Sequence, residues 1–155
     1  MSAAVGTARR IAGTDFLAAE RGPSAASTPA VATAWRVFAA QPLQVACARR
    51  FVAGVLSGLG AADDVVLCVS ELASNAVLHS SSREPGGHFV VRALVNGAGR
   101  IRAEVEDRGG PWTCPPGQHD EEHGRGLLIV GGLASRWGIT GSDAGRIAWL
   151  ELDPA

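Results

Sequence analysis

Apolar residues recur at helical spacing in two neighbouring stretches of the chain. Val45, Ala48, Val52, Val55, Leu56 and Leu59 form one stripe, opened by Gln41-Pro42 and halted by Gly58 and Gly60. Proline suits the first helical position because the amide it lacks has no partner there. Arg49 and Arg50 fall off this stripe and belong on a solvated face. A second helix is predicted from about Asp63 to His79, with Val65, Val69, Leu72 and Ala76 as its apolar stripe and two acids at its start, where they suit the macrodipole. Elsewhere the period falls to two. Between Thr33 and Ala39, the alternation of Trp35, Val37 and Ala39 around Arg36 predicts a short strand with those three on its buried face. His88 to Asn96 and Arg100 to Glu106 flank Gly97-Ala98-Gly99 as a hairpin. In its second arm Ile101, Ala103 and Val105 are predicted to be buried, with Arg102, Glu104 and Glu106 wet. Gly124-Arg125-Gly126 then leads into Leu127-Leu128-Ile129-Val130, a helix predicted to end near Ser135. Trp137 to Thr140 and Arg146 to Leu152 close the pattern as two strands around Gly141-Ser142-Asp143.

The order is strand, two helices, two strands, a long loop, helix and two strands, an α/β arrangement. Its 155 residues suit one domain with a proper core. Residues 1–32 are rich in Ala, Gly, Ser and Thr and hold few large apolar side chains. They are expected to form a flexible tail, leaving residues 33–153 as the folded unit. Residues 109–123, with Pro111, Pro115, Pro116 and several charges, are predicted to form an irregular lid.

Hydrophobic residues make up 46% and charged residues 19% of the chain, an ordinary globular composition. A net charge of -1 gives no argument for a nucleic-acid partner. All 14 basic residues are Arg, which excludes Schiff-base catalysis and the Walker-type phosphate lysine. Cys47, Cys68 and Cys114 are odd in number, and the first two lie within apolar helical patterns, which suits a reducing compartment. Arg9-Arg10 resembles an export signal, but Glu20 interrupts the apolar stretch that should follow. No run approaches the roughly 20 apolar residues that a bilayer demands. A cytoplasmic protein without a membrane span is expected.

Glu71, Asn75 and His79 are spaced by four within the second predicted helix. At about 100° per residue they project from nearly one side, a turn apart. A carboxylate beside a carboxamide suits a hydrated cation, for which the amide oxygen is a neutral hard ligand, and a nucleophile that must lose a proton to a base. A solvated helix face is the ordinary alternative. Gly124-x-Gly126 ahead of a helix offers unhindered backbone amides and a positive helix end to a phosphate. It does not match the dinucleotide fingerprint, since a Pro-rich loop rather than a strand precedes it. Cys114, His119 and His123 raise a zinc site, but only one cysteine is present and the ligands are not paired at both ends; a solvated polar loop is the alternative. His88 is expected to be exposed. No Gly-x-Ser-x-Gly elbow exists for a serine hydrolase.

In order, Glu71-Leu72-x-x-Asn75-Ala76, Asp107-x-Gly109 and Gly124-Arg125-Gly126-Leu127 resemble the N, G1 and G2 boxes of the GHKL ATPase superfamily, which includes DNA gyrase, histidine kinases and the mismatch-repair ATPase. The chain looks most like the small bacterial anti-sigma-factor serine kinases and their stand-alone histidine-kinase-like relatives. The likeness covers about residues 33–153 and extends to Asn75-Ala76-Val77-Leu78-His79 and Arg136-Trp137-Gly138. It implies a two-layer sandwich, the Bergerat fold, in which a mixed, mostly antiparallel sheet is covered on one face by about three helices.

The resemblance also implies roles. Asn75 would hold the Mg²⁺ that bridges the ATP phosphates, and Asp107 would accept a hydrogen bond from the adenine amino group. Gly109 would let the backbone approach the base. Gly124 and Gly126 would offer amides to the phosphates, with Arg125 as a charge partner and Leu127 completing the box. Glu71 would be the catalytic base of a serine/threonine protein kinase that binds a sigma factor and phosphorylates its antagonist. The alternative is a non-catalytic ATP-binding switch that controls a protein partner through its lid. The similar kinases commonly pair as homodimers. This chain departs from the pattern in Pro111, where another glycine is usual, in its lack of Lys, and in its tail.

Overall fold

The computed structural model describes residues 5–8, 30–110 and 121–154. They form β1 (Val5–Ala8), β2 (Ala30–Ala39), α1 (Pro42–Val55), α2 (Ala62–His79), β3 (His88–Asn96), β4 (Ile101–Asp107), α3 (Glu121–Leu133), β5 (Arg136–Ser142) and β6 (Gly145–Leu152). The strands make one sheet in the order β1-β2-β3-β4-β6-β5, and every pairing is antiparallel. Three helices cover one face, with α2 between α1 and α3. This is the expected two-layer α/β sandwich. Among the described residues no helix is long and apolar enough to cross a membrane.

The helix stripes account for the core. Val65, Val69, Leu72 and Ala76 of α2 are buried against Val91, Ala93, Ala103 and Val105 of the sheet, with Ala48 and Val52 of α1 beside them. Burying each such valine or leucine contributes about 1.5–3 kcal/mol. α1 carries Pro42 in its first turn, and α2 opens with Asp63 and Asp64. Ser80 ends α2: its backbone is extended, its hydroxyl donates to Ala76 O at 2.6 Å, and its Oγ accepts the Ser82 N–H at 3.0 Å. A single 3-10 turn, Ser81–Arg83, follows.

β2 differs from the sequence reading by one position. Ala34 and Phe38 are buried beneath the helices, while Trp35 and Val37 are half-buried and Ala39 is exposed. A one-residue slip moves a strand's whole side-chain set to the other face. Aromatic packing decides it, since Phe38 stacks on Phe89 with ring centroids 5.4 Å apart and meets Phe51 edge-on at 6.0 Å. The strand also begins three residues earlier than residue 33, and within the segment read as a tail Val5–Ala8 pairs with Thr33–Arg36.

The face of β4 away from the helices is less wet than its alternation suggests. Glu104 is only 2% exposed. Arg102 donates to it at 2.8 Å and to Glu151 at 3.0 Å while stacking 4.4 Å from the Trp149 ring centroid. Arg92 donates to Glu106 on the same face. Burying a carboxylate is tolerable only with such charged partners.

Candidate functional site

α2 turns one side to the core and the other to the site. Its stripe is buried, whereas Glu71, Asn75 and His79 are each half-buried along one line. At Glu71 that line meets α3, and just beyond His79 the chain meets the turn that follows β4.

The end of β4 is a turn held from three directions. Gly109 N–H donates to Asp107 Oδ1 at 2.6 Å, bending the chain immediately after the carboxylate. Gly109 O accepts the Ser81 N–H at 2.8 Å, which ties the turn to the chain just beyond His79. Arg108 N–H donates to the fully buried Ser82 Oγ at 2.9 Å, and Gly110 N–H to Asp143 O in the β5–β6 turn at 2.7 Å. Both glycines are required. Gly109 and Gly110 have φ of +72° and +106°, and a Cβ would lie 2.5 Å from Asp143 O and 2.6 Å from Ser81 Oγ respectively.

Beneath this turn lies Arg146, directly opposite Asp107 in the β4–β6 register and only 8% exposed. Its Nε is 3.5 Å from Asp107 Oδ1, and its Nη2 donates to Gly109 O at 3.1 Å. Burial pushes the Asp107 carboxyl above its usual range, while the Gly109 N–H and the Arg146 guanidinium oppose that rise.

α3 corrects one expectation. The reading placed Gly124 and Gly126 in a loop ahead of the helix, but α3 runs from Glu121, so both glycines are helical. Glycine costs only about 1 kcal/mol per residue in a helix, a cost that the packing of α3 on α2 offsets. Gly126 is buried, and a Cβ there would sit 2.8 Å from Glu71 Oε2. The helix thus approaches the Glu71 carboxylate closely. Arg125 is exposed, and Leu127 packs against the core.

The structure therefore joins the three sequence motifs along α2, through the contact of Gly109 with Ser81 and the approach of Gly126 to Glu71. The sequence reading missed Arg146, Ser81, Ser82 and the Asp143 carbonyl. Only the pairing of β4 with β6, which are not consecutive in the chain, reveals that an arginine stands across from Asp107.

The lid residues 111–120, including Pro111, Cys114 and His119, lie outside the described residues, as does the side chain of His123. Among the described residues no group of three His, Cys, Asp or Glu side chains could hold a metal ion. Cys47 and Cys68 are free thiols, and burial pushes the Cys68 thiol up to about 11.

The family model of the histidine kinase-like ATPase domain matches residues 38–152, from the end of β2 to the end of β6. The chain belongs to the histidine kinase-like ATPase family. A solved structure of the RsbU and RsbW domains of Rv1364c from Mycobacterium tuberculosis is similar, with a TM-score of 0.61 and 25% identity over 77% of this chain and 32% of that one. The chain thus spans about a third of that structure's length. The histidine kinase domain of the blue-light activated histidine kinase from Erythrobacter litoralis EL346 matches with a TM-score of 0.46 and 23% identity over 72% of this chain and 63% of that one. A search of curated proteins gives no match. Glu71, Asn75, Asp107, Gly109, Gly124 and Gly126 all lie within the matched span.

Proposed function

We propose that this histidine kinase-like ATPase domain is an ATP-dependent serine/threonine protein kinase of the anti-sigma-factor type. The reading rests on one observation: Glu71, a half-buried carboxylate of α2, lies against α3, where a Cβ on Gly126 would come within 2.8 Å of its Oε2. The similar structure that includes an RsbW domain supports the regulatory part of the reading.

Asp107 takes the adenine amino group, and Gly109, which has no side chain, lets the base approach. Asn75 supplies a neutral oxygen of the kind Mg²⁺ accepts, and the ion, when bound, neutralises charge on the phosphates. Gly124, Arg125, Gly126 and Leu127 border the phosphates. Glu71 takes the proton of a serine or threonine hydroxyl on the partner as that oxygen bonds to the γ-phosphorus and the bond to ADP breaks. The partner is a sigma factor, its antagonist, or both, and residues 33–153 carry the activity.

Incubation with labelled ATP, Mg²⁺ and a candidate antagonist tests this. Label is expected on a serine or threonine of the antagonist and is expected to disappear in Glu71→Ala. Transfer that persists in Glu71→Ala defeats the catalytic assignment.

The second reading is that ATP only sets the conformation of the lid and so the affinity for a protein partner. Under it, Glu71→Ala leaves partner binding intact, and Asn75→Ala or Asp107→Ala removes its dependence on nucleotide.

A further inference from the structure

The base-recognising carboxylate does not stand alone. We infer that Arg146 is a positioning residue for nucleotide recognition, which aims the Asp107 carboxylate at the exocyclic amine of the purine and keeps it an acceptor. This rests on the ATP reading above and deepens it.

Three features carry the inference. Arg146 is nearly fully buried, where an arginine is costly unless its charge is used. Its guanidinium grips both ends of the turn: Nε faces Asp107 Oδ1 at 3.5 Å while Nη2 donates to Gly109 O at 3.1 Å. One planar fork therefore sets the carboxylate and the backbone glycine relative to each other, which a lysine's single ammonium cannot do. Finally, Gly109 N–H and Arg146 converge on the same oxygen, Oδ1, which fixes the plane of the carboxyl group and the direction of Oδ2.

The electrostatics run the same way. The groups acting on Asp107 are burial, which raises its pKa most, the Gly109 N–H and Arg146, which lower it, and Glu106, which raises it. A protonated Asp107 turns one acceptor into a donor and repels the amine's hydrogens. Arg146 therefore extends to lower pH the range over which the carboxylate can accept.

The test compares ATP with the triphosphate of purine riboside, which lacks the exocyclic amine, by calorimetric titration with Mg²⁺ on the full chain. Wild type is expected to prefer ATP. In Arg146→Met, ATP binding is expected to weaken about tenfold, the worth of one contact to a charged group, while binding of the purine riboside triphosphate changes by less than about twofold. The acid limb of ATP binding is also expected to move to higher pH, because loss of the guanidinium raises the Asp107 pKa further. If Arg146→Met weakens both ligands equally, the residue is only structural and the inference is overturned while the ATP reading stands. If wild type does not distinguish the two ligands, Asp107 does not read the amine, and the inference falls with that role of Asp107 while ATP binding itself stands; no binding of either ligand defeats the ATP reading. Should Arg146→Met fail to fold, Arg146→Lys carries the same comparison: it keeps the charge but not the fork, so a loss of about threefold confined to ATP is expected, and an equal loss for both ligands overturns the inference.

Discussion

The two glycine motifs of the site are built in opposite ways. The Asp107–Gly110 turn is pinned to Ser81, Ser82, Asp143 and Arg146, and its glycines hold positive φ with no room for a side chain. Gly124–Gly126, by contrast, is wound into the first turns of α3, in a helix that also contains Gly131 and Gly132. Each of these glycines weakens α3 by about 1 kcal/mol relative to alanine. The first motif is set before any nucleotide arrives. The second is in regular helix, of a composition that makes rewinding cheap. Recognition of a base rewards a pre-formed carboxylate and backbone, since no ordering cost remains at binding. On the proposed ATP reading, a segment that borders the phosphates gains from low local stability.

Substitutions at the two motifs test this contrast. The largest effect is expected for Gly109→Ala, where strain at φ +72° adds to the clash with Asp143 O. We expect a loss of about 3 kcal/mol in denaturant unfolding together with loss of ATP binding. A stable variant that binds normally would show the turn to be adaptable. Ser82→Ala removes the buried acceptor of the Arg108 N–H, and a loss of about 1–3 kcal/mol is expected by the same measurement. For Gly126→Ala the clash is with the far end of the flexible Glu71 side chain, which can move, while helix propensity improves. Stability is expected to stay within about 1 kcal/mol of wild type, and the reading that Glu71 is the base predicts slower phosphoryl transfer. A stability loss as large as that of Gly109→Ala would erase the contrast. Gly132→Ala meets nothing within 4 Å. We expect a gain of up to about 1 kcal/mol and no change in ATP binding.

Local pattern was legible wherever one period dominated. β3 runs from His88 to Asn96, the span predicted for the first arm of the hairpin, and α2 differs from its predicted span by one residue. Periodicity failed where a charge sits on the inward face: Arg36 lies between Ala34 and Phe38, its guanidinium 5.9 and 5.3 Å from the Phe38 and Phe51 ring centroids. In β2 the alternation favours Trp35, Val37 and Ala39, and only the presence of Phe51 and Phe89 draws Phe38 inward instead. It failed again at α3, because glycines read as punctuation can be wound into a helix that packs on α2.

The residues by themselves determined the element order, the buried stripe of α2 and the placement of Glu71, Asn75 and His79 on one side of it. All of these follow from backbone geometry within a few residues. They also carried the resemblance to the histidine kinase-like ATPase family, to which the match over residues 38–152 assigns the chain. Only tertiary structure decided which face of β2 turns inward, that Ser81 and Asp143 clamp the G1 turn, and that Arg146 lies against Asp107. Those contacts join segments distant in the chain, and their register is set by the packing of a whole sheet against three helices rather than by any local run of residues.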